Sequence, residues 1–172
     1  VQEYKDAISL DRPRSFNTDQ IRHIAVSVLN ILVYLQSRMP PVIHRDIKPA
    51  NILIDSQVDA LAINQSQAQT NRQQPDPGGG HNQPGVYLVD FGFARIGDGE
   101  VGVSSVVKGT LGFMPPEQLF NRQLTEASDL YGLGMTLICL LTGTRADEIG
   151  NLVDISYQVK FKHLVPKLNF HW

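Results

Sequence analysis

The sequence of 172 residues predicts an α+β fold that is mostly helical and carries one small β-hairpin. Apolar residues recur with helical spacing over residues 17–37, and residues 130–141 are apolar nearly throughout. Two short apolar runs, residues 51–54 and 86–89, are predicted to pair as the two strands of the hairpin. The composition, 42% hydrophobic and 19% charged, is typical of a globular domain with one packed core.

The first predicted helix has both a start signal and a stop signal. Asn17 can cap its N-terminus, and Gln20 can complete a capping box three residues later. Pro40 and Pro41 end the pattern, since proline cannot continue a helix. The residues predicted to form its buried face are Ile21, Ile24, Ala25, Val28, Ile31, Leu32 and Leu35.

The second helix is predicted to begin within residues 125–129, where Ser128 or Asp129 can cap it. Its nearly continuous apolar surface indicates a helix that runs through the core, and Gly143 follows its end. Residues 146–150 and 152–164 are predicted to form one or two further helices. The alternation over residues 1–4 predicts a strand.

Charge and cysteine content exclude several classes of protein. The net charge of −2 does not favour a nucleic-acid partner. The single cysteine, Cys139, rules out an internal disulfide framework and indicates a reducing compartment. The longest apolar run, residues 130–141, is too short to span a bilayer, so no membrane segment is expected in this chain. A cytoplasmic location is therefore predicted, and tethering to the cytoplasmic face of a membrane by a longer protein stays open.

Residues 56–85 separate the two hairpin strands and are rich in Gln, Asn, Pro and Gly. Hairpin loops usually have about two to five residues, so this stretch is predicted to be an insertion. Its apolar content is too low to offset the entropy of ordering, and disorder is therefore expected. A tolerated surface insertion is favoured over a partner-binding segment.

Residues 44–51, H-R-D-I-K-P-A-N, place an acid, two cations and an amide in eight positions. This set of groups suits phosphoryl transfer. Asp46 can orient a hydroxyl and accept its proton, Lys48 can stabilise developing negative charge, and the Asn51 carbonyl oxygen can bind Mg²⁺. The alternative is an ordinary charged loop between two short strands.

A second motif, D-F-G at residues 90–92, follows the second hairpin strand directly. An aspartate at a strand end, followed by glycine, can place its carboxylate on a magnesium ion that bridges nucleotide phosphates. Asn51 and Asp90 are therefore the two predicted metal ligands.

Four fragments occur here in the order in which protein kinases have them: H-R-D-I-K-P-A-N, D-F-G, G-T-L-G-F-M-P-P-E and S-D-L-Y-G-L-G. Outside the insertion, the chain resembles the C-terminal lobe of a eukaryotic-like serine/threonine kinase of bacterial type. The 172 residues contain no Gly-rich loop and no V-A-I-K lysine. The resemblance therefore implies a partial kinase domain over residues 1–172, with a hinge and a C-terminal lobe but without the N-terminal lobe.

The same resemblance implies ATP and Mg²⁺ as cofactors and a protein serine or threonine as acceptor. Lys48, two residues after Asp46, indicates serine/threonine rather than tyrosine specificity. Thr110 is expected near the catalytic aspartate, and Leu53 is expected to form the floor under adenine. Backbone groups of Glu3 and Lys5 are expected at the adenine edge.

Regulatory roles are also implied by the family. Arg45 can pair with a phosphate on Ser104 or Ser105, although plain linker serines are an equal alternative. The Arg partner of Glu117 lies in a later helix of the family, so Glu117 is expected to be unpaired in this chain. Asp129 is expected to hold the backbone of the catalytic loop, in addition to capping its helix.

Two other functional classes stay open. A small-molecule phosphotransferase would share a similar aspartate and asparagine, but the G-T-L-G-F-M-P-P-E segment is typical of docking a protein substrate. A non-catalytic kinase-like binding module is disfavoured because the catalytic residues of this lobe are intact. Without an N-terminal lobe, the 172 residues alone are expected to bind ATP poorly and to turn it over negligibly.

Overall fold

Five short strands and three α-helices make up the computed structural model, which describes residues 6–56, 84–96 and 109–165. The strands are β1 (Ala7–Ser9), β2 (Val42–Ile43), β3 (Ile52–Asp55), β4 (Val86–Leu88) and β5 (Arg95–Ile96), and the helices are α1 (Thr18–Gln36), α2 (Pro116–Leu119) and α3 (Glu126–Thr142). Single 3₁₀ turns span Pro49–Asn51, Phe91–Phe93 and Ile149–Leu152. The predicted class, helical with a small antiparallel sheet, is confirmed.

Helix α1 begins where its capping signal predicts. The Asn17 side chain accepts from the Gln20 backbone N–H at 2.9 Å, and the Gln20 side chain accepts from the Asn17 N–H at 2.9 Å. Satisfying two otherwise unpaired donors stabilises the first turn. Of the predicted face, Ile21, Ile24, Val28, Leu32 and Leu35 are buried, whereas Ala25 and Ile31 are half-buried.

The predicted hairpin is present as part of a three-stranded antiparallel sheet in the order β1-β3-β4. Leu53 lies at its centre, opposite Ser9 on β1 and Tyr87 on β4. A separate two-stranded ladder joins β2 to β5. Most of the predicted insertion, residues 57–83, and the strand predicted over residues 1–4 lie outside the described residues.

Helix α3 begins three residues earlier than the predicted caps allow. Thr125 is the N-cap, and Ser128 completes the capping box by accepting from the Thr125 backbone N–H at 3.2 Å. The prediction that Ser128 or Asp129 caps the helix was therefore wrong: both lie inside its first turn and are buried. The helix ends at Gly143 in the left-handed conformation, φ 70°, which glycine adopts without strain.

The helices predicted over residues 146–164 are absent from the described part of that stretch, which contains only the 3₁₀ turn Ile149–Leu152. Asp154 gives the physical reason. Its Oδ1 accepts from the backbone N–H groups of Ser156 and Gln158 at 2.8 and 2.9 Å. An aspartate that bonds its own following backbone offers the chain a turn in place of a helix. A bridge between Val153 and Val159 closes this turn.

Helices α1 and α3 pack together around an apolar core. This core also contains Ile47, the residue that follows the predicted catalytic Asp46. Ile47 is 2% exposed and lies in one apolar cluster with Ile24 and Val28 of α1 and Leu133 of α3. Burying an isoleucine side chain contributes about 1.5–3 kcal/mol. The loop of residues 44–48 is therefore fixed to the two longest helices through Ile47. Of the helices in the described residues, none is long and apolar enough to cross a bilayer.

Two glycines of α3 allow a matched test of this packing. A Cβ at Gly132 would lie 2.8 Å from the Ile47 carbonyl oxygen, whereas a Cβ at Gly134 would meet nothing within 4 Å. Gly134→Ala is expected to stabilise the protein by about 0.5–1 kcal/mol, because alanine favours helix. Gly132→Ala is expected to destabilise it despite the same gain in helix propensity. Urea unfolding of both variants of the full-length protein measures the difference, and equal stabilisation would contradict the close approach of α3 to the loop.

Candidate active site

The candidate site is built around the side chain of Asp46, which is 1% exposed. It lies on the loop between β2 and the 3₁₀ turn Pro49–Asn51, next to the buried anchor Ile47. A buried carboxylate is destabilising unless charged or polar groups surround it. Asp46 has three such partners, and they come from two distant parts of the chain.

Lys48, Asn51 and Thr110 all bond the Asp46 carboxylate. Its Oδ2 accepts from Lys48 Nζ at 2.7 Å and from Asn51 Nδ2 at 3.0 Å. Its Oδ1 accepts from Thr110 Oγ1 at 3.1 Å. The carboxylate is thus held in one orientation by a cation, an amide and a hydroxyl.

Thr110 reaches the site from 64 positions along the chain. Its hydroxyl accepts from Lys48 Nζ at 2.7 Å while it donates to Asp46. Lys48 therefore links the loop of residues 44–48 to the segment that leads into α2. The Lys48 side chain is 21% exposed.

Asn51 and Asp90 are the two residues predicted to offer oxygen ligands to a metal. The Asn51 Nδ2 donates to the Asp46 backbone oxygen at 2.8 Å as well as to the carboxylate, so its Oδ1 faces away from Asp46. The Val89 N–H donates to the Asn51 carbonyl at 3.0 Å and brings the exposed Asp90 alongside.

This donor set fits magnesium, because carboxylate and amide oxygens are the ligands that Mg²⁺ prefers. The described residues contain no cluster of three or more His, Cys, Asp or Glu side chains that could hold a metal. Magnesium in nucleotide sites is bound by one or two protein ligands together with phosphates and water. Asn51 and Asp90 meet that requirement.

Two of the four non-glycine residues with positive φ in the described part of the chain lie at the site. Asp90 has φ 62° and Arg45 has φ 74°, both in the left-handed region that costs a non-glycine residue about 1–2 kcal/mol. The Asp90 side chain accepts from the Gly92 N–H at 3.2 Å. Phe91, 45% exposed, contacts the His44 ring edge-on with centroids 4.7 Å apart. Strain of this kind persists where surrounding contacts fix the backbone.

Asp129 fixes the backbone at Arg45. Its two carboxylate oxygens accept from the N–H groups of His44 and Arg45, each at 2.9 Å, across more than 80 positions of sequence. Asp129 is 1% exposed and lies in the first turn of α3. The helix that packs on Ile47 thus also holds the turn that precedes Asp46.

Sequence reasoning missed two residues that support the loop. Gln118 of α2 is buried and donates from Nε2 to the Arg45 carbonyl at 3.1 Å. Ser9 of β1 donates to the carbonyls of Pro49 and Ala50, both at 3.1 Å. The only sequence signal for Gln118 is its position directly after P-P-E, and nothing local marks Ser9.

Glu117 differs from the expectation that it would be unpaired in this chain. Its Oε1 accepts from the Ser128 hydroxyl at 2.9 Å. Because Ser128 also completes the capping box of α3, the start of that helix is tied to α2. The expectation failed because it considered only an arginine partner.

Burial sets the electrostatics beneath the loop. Desolvation lowers the pKa of His44, and the nearby charge of Asp129 only partly opposes this. Burial raises the pKa of Asp129, although the backbone N–H groups of Arg45 and His44 act in the opposite direction. His44 Nε2 lies 3.0 Å from the Val89 carbonyl, which can only accept, so Nε2 carries the proton in the neutral ring.

The lowered pKa of His44 gives a prediction for stability against pH. Above the ordinary histidine value of about 6.5, the ring is neutral in both the folded and unfolded states. As the pH falls below that value, His44 takes up a proton in the unfolded chain before it does so in the folded protein. The free energy of unfolding therefore decreases until the pH passes the pKa of His44 in the folded state. We expect the unfolding free energy of wild type to fall more steeply from pH 7 to 5 than that of His44→Phe.

Urea unfolding of the full-length protein at several pH values checks this expectation. His163→Phe, at an exposed position, is the matched control and should keep the wild-type slope. Parallel profiles for wild type and His44→Phe would show that the His44 ring does not resist protonation in the fold.

The remaining predicted site residues fall into two groups. Leu53 lies half-buried in the central strand β3. Glu3 and Lys5, predicted at the adenine edge, and Ser104 and Ser105, predicted phosphorylation sites, lie outside the described residues.

Comparison with known proteins agrees with this geometry. A family model described as the protein kinase domain matches residues 1–160. Calmodulin-binding receptor-like cytoplasmic kinase 2 of Arabidopsis thaliana is 37% identical over 131 residues, 73% of this chain and 26% of that protein. Serine/threonine-protein kinase D of Synechocystis sp. is 36% identical over 149 residues, 83% of this chain and 24% of that protein.

A leucine-rich repeat receptor-like serine/threonine-protein kinase of Arabidopsis thaliana is 34% identical over 147 residues, 81% of this chain and 13% of that protein. The chain therefore spans about a quarter or less of the length of these relatives. The family match covers most of the chain, and it includes the loop that carries Asp46, Lys48 and Asn51. By its sequence and by the fold that holds this loop, the chain belongs to the protein kinase family.

Proposed function

We propose that this chain is the catalytic part of a serine/threonine protein kinase. The observation that carries the proposal is the bonding of Asp46 to Lys48 and Thr110, which sets a buried carboxylate beside a cation whose side chain is 21% exposed. The names of relatives from Arabidopsis and Synechocystis, which are serine/threonine-protein kinases, support the same class.

Asp46 acts on the acceptor in this proposal. A substrate hydroxyl placed against its carboxylate donates a hydrogen bond, is oriented, and releases its proton to Asp46. General-base assistance of this kind contributes roughly 10²- to 10⁴-fold to a rate. Lys48 is close enough to Asp46, at 2.7 Å, to stabilise negative charge on the group being transferred.

ATP would supply the γ-phosphoryl group and ADP would be the leaving group, while Mg²⁺ would supply the positive charge that shields the phosphate oxygens. Asn51 and Asp90 would hold the metal, Leu53 of β3 would contact the adenine, and backbone groups of Glu3 and Lys5 would bind the adenine edge. These assignments follow the family pattern, and the oxygen chemistry of Asn51 and Asp90 supports the metal part.

We place the chain at the hinge and C-terminal lobe of the kinase domain, over residues 1–172. The order of the catalytic loop, the D-F-G segment and the P-P-E segment supports this placement. We expect the 172 residues alone to turn over ATP negligibly, because they contain no Gly-rich loop to cover the phosphates.

Regulation and location complete the proposal. Phosphate on Ser104 or Ser105 would pair with Arg45. A cytoplasmic site of action is supported by the single, buried cysteine and by relatives named as receptor-like cytoplasmic kinases.

The test compares a protein and small alcohols as acceptors of the phosphoryl group. The full-length protein is given ATP and Mg²⁺ with either a generic basic protein or small alcohols such as aminoglycosides and choline. We expect phosphate on serine and threonine of the protein and none on the alcohols. Transfer only to the alcohols would favour a small-molecule phosphotransferase, and binding of nucleotide without transfer to either would favour a non-catalytic module.

A further inference from the structure

Side chains hold the base of the β3–β4 hairpin, where most hairpins have a short turn. Asp55 ends β3 and Gly85 immediately precedes β4, 30 positions away in the sequence. In an ordinary hairpin the turn sets the pairing register of the strands. A connection of this length lies outside the turns of about two to five residues that set a register by their own geometry. The register of β4 must therefore be fixed by other contacts.

Asp55 and Gly85 make two hydrogen bonds at this base. The Asp55 N–H donates to the Gly85 carbonyl at 3.0 Å, and the Gly85 N–H donates to Asp55 Oδ2 at 2.6 Å. The second bond is short because its acceptor is a carboxylate. A Cβ at Gly85 would overlap the Tyr87 hydroxyl and lie 2.9 Å from Asp55 Oδ2, so a larger residue there would displace these two side chains.

His23 adds a contact from outside the sheet. Its Nε2 lies 2.7 Å from the Pro84 carbonyl oxygen, which accepts, so the imidazole donates. His23 is on α1, whose apolar face is fixed in the core. The entry to β4 is thus tied to a rigid helix as well as to the end of β3.

The register of β4 decides where the D-F-G aspartate lies. Leu88 is paired with Ile52, and the Val89 N–H donates to the Asn51 carbonyl, so Asp90 directly follows a residue that is bonded to the Asn51 backbone. A slip of one residue reverses the face of every side chain on a strand. Such a slip of β4 would shift Asp90, two residues after the strand, relative to Asn51.

We propose that His23, Asp55 and Gly85 form a register clamp that positions Asp90 for metal binding while a long segment interrupts the hairpin. The clamp residues touch neither substrate nor metal and act through β4. The role of Asp90 in this inference rests on the proposed function, whereas the clamp itself rests on the hydrogen bonds described above.

The test measures amide hydrogen exchange of the peptide that contains β4 in the full-length protein, with and without Asp55→Ala. Loss of a bond to a carboxylate is expected to speed exchange of the β4 amides by about tenfold. His23→Ala is expected to have a smaller effect in the same direction. Asp55→Asn and His23→Gln keep a hydrogen-bonding group and should restore most of the protection.

The same substitution in a variant with a shortened hairpin shows whether Asp55 fixes the register of β4 or only contributes to stability. Residues 56–84 are replaced by Asn-Gly, which forms a two-residue turn between Asp55 and Gly85. Since that turn fixes the register itself, Asp55→Ala should now change exchange of β4 by no more than about twofold. Equal acceleration in both backgrounds would overturn the proposal, and so would unchanged exchange of Asp55→Ala in the natural background.

The activity of the same variants distinguishes this inference from the proposed function. In an active kinase, Asp55→Ala should raise the Mg²⁺ concentration needed for half-maximal rate, and Asp55→Asn should restore it. Asp147→Ala, which removes an exposed ion pair with Arg145, is the control and should change neither exchange nor magnesium dependence. If wild type transfers no phosphate, the proposed function fails while the exchange data still decide whether the clamp exists.

Discussion

Asp46→Asn is expected to lower kcat for protein phosphorylation by about 10²- to 10⁴-fold, with a smaller change in the KM for ATP. The substitution keeps the size of the side chain but removes the acceptor of the hydroxyl proton. It also presents an amide N–H₂ group to Lys48 and Asn51, which both donate to this carboxylate. Some loss of stability, about 1–3 kcal/mol, is therefore expected alongside the loss of rate.

Initial rates with a generic protein substrate measure this effect, normalised to folded enzyme by circular dichroism. Asp147→Asn is the matched control, because Asp147 is exposed and pairs only with Arg145 among the contacts described. A folded Asp46→Asn protein that keeps more than about a tenth of the wild-type rate would remove Asp46 from the role of general base.

Asp90→Ala is expected to abolish phosphoryl transfer without unfolding the protein. The side chain is exposed and bonds only the nearby Gly92 N–H in the described structure, so its removal costs little packing. Alanine at φ 62° adds about 1–2 kcal/mol of backbone strain. The loss of activity follows from the loss of the charged magnesium ligand.

Asp90→Asn separates the backbone strain from the loss of the charged ligand, since asparagine tolerates the left-handed conformation but carries no charge. We expect Asp90→Asn to be nearly as inactive as Asp90→Ala and to be more stable in urea unfolding. Substantial activity in Asp90→Asn, or unfolding of both variants, would contradict the assignment of Asp90 as a ligand rather than a structural residue.

Local signals in the sequence predicted the regular elements well. The start of α1 was predicted because Asn17 and Gln20 form a capping box within four residues. The start of α3 was misplaced because Thr125 and Ser128 are both good caps, and only their reciprocal bonding decides between them. The helices predicted over residues 146–150 and 152–164 do not form, and the Asp154 side chain instead bonds the backbone that follows it, which favours a turn.

The candidate site was predictable only in part. The spacing of residues 44–51 placed Asp46, Lys48 and Asn51 together, because they lie on one loop. Thr110 and Asp129 meet that loop from 62 to 85 positions away, and only the family resemblance pointed to them. Gln118 and the clamp contact of His23 with Pro84 escaped prediction, since a single sequence carries no signal for pairing across such distances.

The most direct test of the account is a side-by-side assay of the full-length wild type and Asp46→Asn for transfer of the ATP γ-phosphoryl group to a basic protein. Both proteins are measured at equal folded concentration with Mg²⁺ in excess, and the labelled residues are identified. The account predicts phosphoserine and phosphothreonine from wild type, and a rate lower by about 10²-fold or more from Asp46→Asn. Equal rates from the two proteins, or no transfer by wild type under these conditions, would contradict it.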